Sequence, residues 1–150
     1  MTFNPGCDFC EIVAQEEPAH IVLRSERIVA FFPLDPATLG HTLIVPTAHI
    51  PDIWALDEAT LTALAHATLR VAGAARAALS PDGFNIIQSN GAAATQTVQH
   101  LHVHVVPRWT DDAMGPIWPP KSTSGERGES EMVREGEALQ AIRDALKDSA

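Results

Sequence analysis

Hydrophobic positions follow two rhythms along this chain. Short runs rich in β-branched and aromatic residues occur at Ile21 to Leu23, Arg27 to Phe32 and Thr42 to Val45. Polar Arg24-Ser25-Glu26 separates the first two. The turn-rich Pro33-Leu34-Asp35-Pro36 and Leu39-Gly40 lead into the third, which Pro46 ends. Three short strands in an antiparallel meander are predicted. The period then lengthens: behind Asp57, a good N-cap, Leu61, Leu64, Ala65, Thr68, Val71, Ala72, Ala75 and Leu79 recur at helical spacing. Ser80-Pro81-Asp82-Gly83 stops that helix. Strand signals return at Phe84 to Gln88. After a loop from Ser89 to Thr97 they return again at Val98 to Val106, ended by Pro107. Strands separated by one long helix predict an α+β fold with helices packed to one side of the sheet.

The stretch Asp111 to Glu131 is poor in apolar residues after Trp118, and its Pro119-Pro120 and Ser122-Thr123-Ser124-Gly125 read as a connector. A last amphipathic helix is expected over about Val133 to Leu146, with Leu139, Ile142 and Leu146 on one stripe. Residues 1–118 are thus expected to form the main domain. Residues 119–150 would be a connector and helix belonging to that domain or to a dimer interface.

Bulk properties narrow the function classes. A chain of 150 residues with 45% hydrophobic content and mean hydropathy near zero suits one soluble domain. No uninterrupted apolar run approaches the ~20 residues of a membrane span. Met1-Thr2-Phe3-Asn4-Pro5 lacks the basic and apolar regions of a signal peptide, so a cytoplasmic setting is expected. A net charge of −9, with 10 unclustered Lys and Arg, argues against a polynucleotide partner. A small phosphorylated ligand, held by backbone N–H groups and a few local donors, remains compatible.

Candidate chemistry concentrates in His100-Leu101-His102-Val103-His104. In a strand these three imidazoles share one face while Leu101, Val103 and Val105 take the other. Crowded histidines are costly, because a protonated member repels the others and buried neutral ones need partners. Two uses remain open at this point. Adjacent His-x-His pairs can bind a metal, although the outer two Cα atoms would lie about 13 Å apart at ~3.3 Å per residue. Alternatively, one imidazole attacks phosphorus while a neighbour orients it. The small-residue loop Asn90 to Thr97 favours phosphate, since its amides could approach an anion closely. Cys7 and Cys10 form a C-x-x-C at the N-terminus with no strand before it, which favours metal over redox chemistry.

His100-Leu101-His102-Val103-His104-Val105-Val106 resembles the His-φ-His-φ-His-φ-φ signature of the histidine triad (HIT) superfamily. Cys7-Asp8-Phe9-Cys10-Glu11-Ile12-Val13, Gly40-His41-Thr42-Leu43-Ile44-Val45-Pro46 and Gln96-Thr97-Val98 are similar to its opening, central strand and lead-in. The resemblance implies a five-stranded antiparallel sheet with a long helix, paired as a homodimer. It also implies hydrolysis or transfer at a nucleotide α-phosphate through a nucleotidyl-histidine. His102 would be the nucleophile. His104 would contact the phosphate and help protonate the leaving group, and His41 would belong to a histidine relay. Thr97 and the backbone of Thr95 would donate to phosphate oxygens. Phe9, Ile12, Phe31 and Leu34 would line the base pocket. Cys7, Cys10, His49 and His100 would form a structural Cys2His2 zinc site. His20 and His66 have no matching role and are expected at the surface.

Two positions depart from the pattern. Pro33 stands where relatives carry Asp or Asn for the ribose hydroxyls, with Asp35 two residues on as the possible substitute. Ser89, flanked by Gln88 and Asn90, stands where an amide often lies near the α-phosphate. Ile117-Trp118-Pro119-Pro120 resembles the phosphoramidase branch, whereas Gln96-Thr97-Val98 and Pro107-Arg108 also suit the dinucleoside-polyphosphate branch. The competing readings are a hydrolase with a catalytic metal, disfavoured by the lack of paired carboxylates, and a non-catalytic nucleotide-sensing module.

Overall fold

The computed structural model describes residues 3–15, 20–120 and 128–148. Its elements run α1 (Asp8–Ala14), β1 (Ile21–Arg24), β2 (Ile28–Phe31), β3 (Thr42–Pro46), α2 (Glu58–Leu79), β4 (Gly83–Gln88), β5 (Val103–Arg108) and α3 (Glu129–Asp148). The five strands form one sheet in the order β1-β2-β3-β5-β4, with every pair antiparallel. The chain divides after Gly115 into two units, and α3 belongs to the second. No described helix is long and apolar enough to cross a membrane.

Both faces of the central strands are covered, which is why all four residues of β2 are buried. On one face Ile28, Ala30, Ile44, Leu101, Val103 and Val105 meet Leu64, Ala67 and Val71 of α2. On the other, Val29, Phe31, Leu43 and Val45 meet Cys7, Phe9 and Cys10 of the N-terminal hook. The period-2 alternation therefore sorts side chains between a helix-covered core and a second core built on α1. Helix α2 begins as expected, with the Asp57 carboxylate accepting from the Thr60 N–H. It ends at Ser80, whose left-handed backbone (φ 48) turns the chain toward β4.

Four elements differ from the sequence expectation. Helix α1, seven residues long, is too short for the spacing of Phe9, Ile12 and Val13 to establish a period; the Cys7 sulfur caps it by accepting from the Cys10 N–H at 3.4 Å. Helix α3 starts at Glu129, ahead of its apolar stripe, because Glu129 and Glu131 suit the positive end of a helix. The connector accordingly shortens, and its 121–127 portion lies outside the described residues. Strand β5 starts at Val103 instead of Val98: the Leu101 N–H bonds the Ile50 carbonyl at 2.6 Å, beyond the end of β3. It also runs through Pro107. The Pro107 carbonyl accepts from Thr38 Oγ1 at 2.7 Å, so the missing N–H lies on the side where β3 has ended.

After β5, Arg108 fastens the following turn. Its guanidinium donates to both oxygens of Asp112 (2.7 and 3.0 Å), to Asn85 and to the Gly115 carbonyl. Gly40, just before β3, sits at φ +81, and a Cβ there would lie 2.5 Å from Leu79 Cδ1. Gly40→Ala is expected to lower stability by about 1–2 kcal/mol. The readout is a lower denaturant midpoint at unchanged slope.

Candidate active site and metal centre

The metal centre is assembled from three segments. Cys7 and Cys10 come from the hook and its first helical turn, His49 from the loop after β3, and His100 from the approach to β5. Their ligand atoms all lie within 4.8 Å of one another. Cys7 Sγ is 3.4 Å from His100 Nδ1, while Cys10 Sγ is 3.4 Å from His49 Nδ1 and 3.5 Å from His100 Nδ1. Tetrahedral zinc with ordinary Zn–S and Zn–N bonds sets S···N edges at about 3.5 Å, so the cluster has the right size. His100 Nε2 faces the Pro46 carbonyl at 2.8 Å. A carbonyl only accepts, so that nitrogen carries the proton and Nδ1 presents its lone pair to the thiols. Burial pushes the Cys10 thiol up, and a cation beside it offsets that cost. Four protein ligands close the tetrahedron, which suits a structural ion and leaves no position for a reacting water.

His102 lies on the same side of the sheet as the metal centre. Phe9 stands edge-on to both rings, 5.1 Å from His102 and 5.9 Å from His100 between centroids. His102 Nδ1 is 2.8 Å from the His100 carbonyl. The same logic places its proton on Nδ1 and leaves Nε2 with an available lone pair. His104 packs 4.9 Å from His102 between centroids, and its Nδ1 meets His41 Nε2 at 2.9 Å. Burial lowers the pKa of His41 and His102; burial, then His102 and His41, push His104 down to about 4. The three rings are therefore neutral at neutral pH.

The surrounding positions divide into those at the cluster and those that brace it. Phe9, Ile12, Phe31 and Leu34 all line one cavity of ≈ 530 Å³, together with Ile21 and Leu43. Leu43 is paired with His104, so this cavity adjoins the histidine face. Asp35 is exposed and does not line it. Ser89 follows Gln88, the residue paired with Val103, which brings it to the level of His102. Asn90 braces: its Oδ1 accepts from the Ile53 N–H and from Gln88 Nε2, and its Nδ2 donates to Gln88. The Thr95 N–H bonds the Ala92 carbonyl, and the Ala94 and Gln96 amides both bond that of Gly91. Those three amides are spent within the loop. Thr97 is exposed and lines a hollow with Cys7 and His49. His20 and His66 are both exposed.

Gln96, quoted above only as part of the lead-in to the histidines, has a bracing role that sequence reasoning missed. It is buried, accepts from the Gly91 N–H at 2.8 Å, and donates to the Pro51 and Val98 carbonyls at 2.7 and 3.0 Å. One side chain thus staples the loop before the histidines to the loop after β3. A long amide among Gly, Ala and Thr residues was the available signal.

Known proteins resemble this chain over most of its length. A curated relative from Bacillus subtilis, "Protein hit", is 34% identical over 75% of this chain and 79% of its own. The Saccharomyces cerevisiae adenosine 5'-monophosphoramidase HNT1 is 30% identical over 84% and 78%. A zinc-bound histidine triad protein from Mycobacterium smegmatis superposes with a TM-score of 0.68 at 33% identity, covering 97% and 98% of the two chains. That neighbour and the Cys2His2 cluster support structural zinc. Removing the metal with a chelator is expected to lower the thermal midpoint, with about one zinc per chain released on unfolding. A catalytic ion would instead leave the midpoint in place while activity disappears. Residues 14–111 match the HIT domain, and the chain belongs to the HIT family.

Proposed function

We propose that this protein is a nucleotide hydrolase or transferase that acts at an α-phosphate through a covalent nucleotidyl-His102 intermediate. The observation that carries this reading is the 2.8 Å contact from His102 Nδ1 to the His100 carbonyl. It commits the proton to one nitrogen and aims the lone pair of the other at an incoming phosphorus. An imidazole that is neutral and pre-oriented needs no further base to act as nucleophile.

The apolar cavity beside His104 suits a nucleobase, with Phe9 and Phe31 as its aromatic walls. Asp8 and Glu11 also line it, and their charge repels phosphate from that end. A ligand with a base and a phosphate therefore lies with its phosphate toward the histidines. The substrate class is a dinucleoside polyphosphate, a nucleoside phosphoramidate or a related adduct, and the product is a nucleoside monophosphate. Ser89 and Thr97 remain the proposed side-chain contacts to phosphate.

We also propose a homodimer. Strand β4 ends the sheet, and beside it Ile53, Leu56, Leu61 and Ile86 line an apolar hollow of ≈ 370 Å³. A second copy would cover that surface. A reducing, cytoplasmic setting fits thiols that must stay available to a metal.

His102→Ala is expected to reduce turnover roughly 10⁴-fold or more while nucleotide binding survives. Mass spectrometry of quenched wild-type enzyme should detect the nucleotidyl adduct; full activity in the variant would sink the proposal. The pH profile gives an independent check. Burial lowers the His102 pKa from 6.5, and the lone pair is present above the folded-state value. The acid limb of kcat/KM should therefore fall below pH 6.5, with activity lost as pH drops through it.

A further inference from the structure

His41 and His104 sit beside the proposed nucleophile, and what they can do depends on where their protons are. A backbone amide settles it. The Ala37 N–H donates to His41 Nδ1 at 3.0 Å. Peptide N–H groups cannot accept, so His41 Nδ1 is bare and the His41 proton sits on Nε2. That Nε2–H points at His104 Nδ1, 2.9 Å away, which must therefore accept. The proton of His104 is left on its own Nε2.

We infer that the Ala37 amide fixes His41 as a hydrogen-bond donor and, through it, holds His104 neutral with its proton on Nε2. The pair then supplies a standing N–H to a phosphate oxygen and carries no proton between substrate and solvent. An imidazolium at His104 would need Nδ1–H to donate to His41 Nε2. His41 would then have to carry its proton on Nδ1, facing the Ala37 N–H. Two donors would oppose each other across 3.0 Å in a half-buried site. His20, which lines the hollow next to His41, is the other titratable side chain on that wall.

The inference rests on the hydrolase reading for its chemistry, and it replaces the relay expected for His41. His102 Nε2 gives its lone pair to phosphorus as the bond to the leaving group breaks. That electron pair departs with the leaving group, which takes its proton from solvent water. Water then attacks the nucleotidyl phosphorus. The P–N bond breaks, its pair returns to His102 Nε2, and the surplus proton of the water goes to solvent. His104 donates to a phosphate oxygen in both steps and ends each unchanged. His41 touches no reacting atom and is a positioning residue.

Glutamine can imitate the fixed form of His41, because its carbonyl accepts from Ala37 while its amide donates to His104. It cannot carry a proton. His41→Ala is expected to lower kcat about 5- to 100-fold, the effect of one buried hydrogen bond left unmade. His41→Gln should recover to within about threefold of wild type. A glutamine variant as impaired as the alanine one would overturn the assignment. Long-range proton–nitrogen NMR of the wild-type imidazoles tests the same lock on the free protein, whether or not it hydrolyses nucleotides. Protonated Nε2 and bare Nδ1 are expected on His41; a proton on Nδ1 would overturn the inference.

Discussion

The buried ring of His100 is the interaction on which the site depends. One nitrogen is tied to the Pro46 carbonyl, the other faces both thiols, and its own carbonyl holds His102. Three segments far apart in sequence are thereby fixed: the N-terminal hook, the end of β3 and the approach to β5. The metal offsets the cost of burying two thiols and two imidazoles together. A hook that could not form an independent core becomes the lid of the second face of the sheet.

Much of this was legible in the chain. The β-branched and aromatic runs at Arg27 to Phe32 and Thr42 to Val45 marked the central strands, and Asp57 marked the start of α2. The histidine spacing and the C-x-x-C pointed to two kinds of chemistry, and the geometry separates them within one short segment. What stayed hidden has physical reasons. Strand pattern alone cannot show that residues 98–102 leave the ladder, because the Leu101 N–H finds its partner in the loop at Ile50. A sulfur cap on α1 follows no side-chain propensity rule. The loop before the histidines reads as open because its residues are small. Its amides at Ala94, Thr95 and Gln96 are in fact turned inward, and that depends on one glutamine and two carbonyls.

The two cores divide labour. Helix α2 supplies apolar contact on one face through Leu64, Ala67 and Val71. The opposite face mixes Phe9, Phe31 and Leu43 with the imidazoles of His41, His49, His100, His102 and His104, so aromatic rings stand where aliphatic packing would strand the nitrogens. Phe9 belongs to all of these at once: it lines the apolar cavity, touches His102 and lies one residue before Cys10 in the hook. The metal centre and the apolar cavity thus share one side chain.

The anchors of the imidazoles have one further consequence. His100, His102 and His41 are each held by a main-chain group, belonging to Pro46, His100 and Ala37 respectively. A peptide carbonyl or amide is supplied by almost any residue that keeps the local backbone path. Side chains around the histidines can therefore drift without disturbing which nitrogen bears the proton. An arrangement of imidazoles written into the backbone in this way can be inherited across sequences that share little else, and the side chains around it are left open to change.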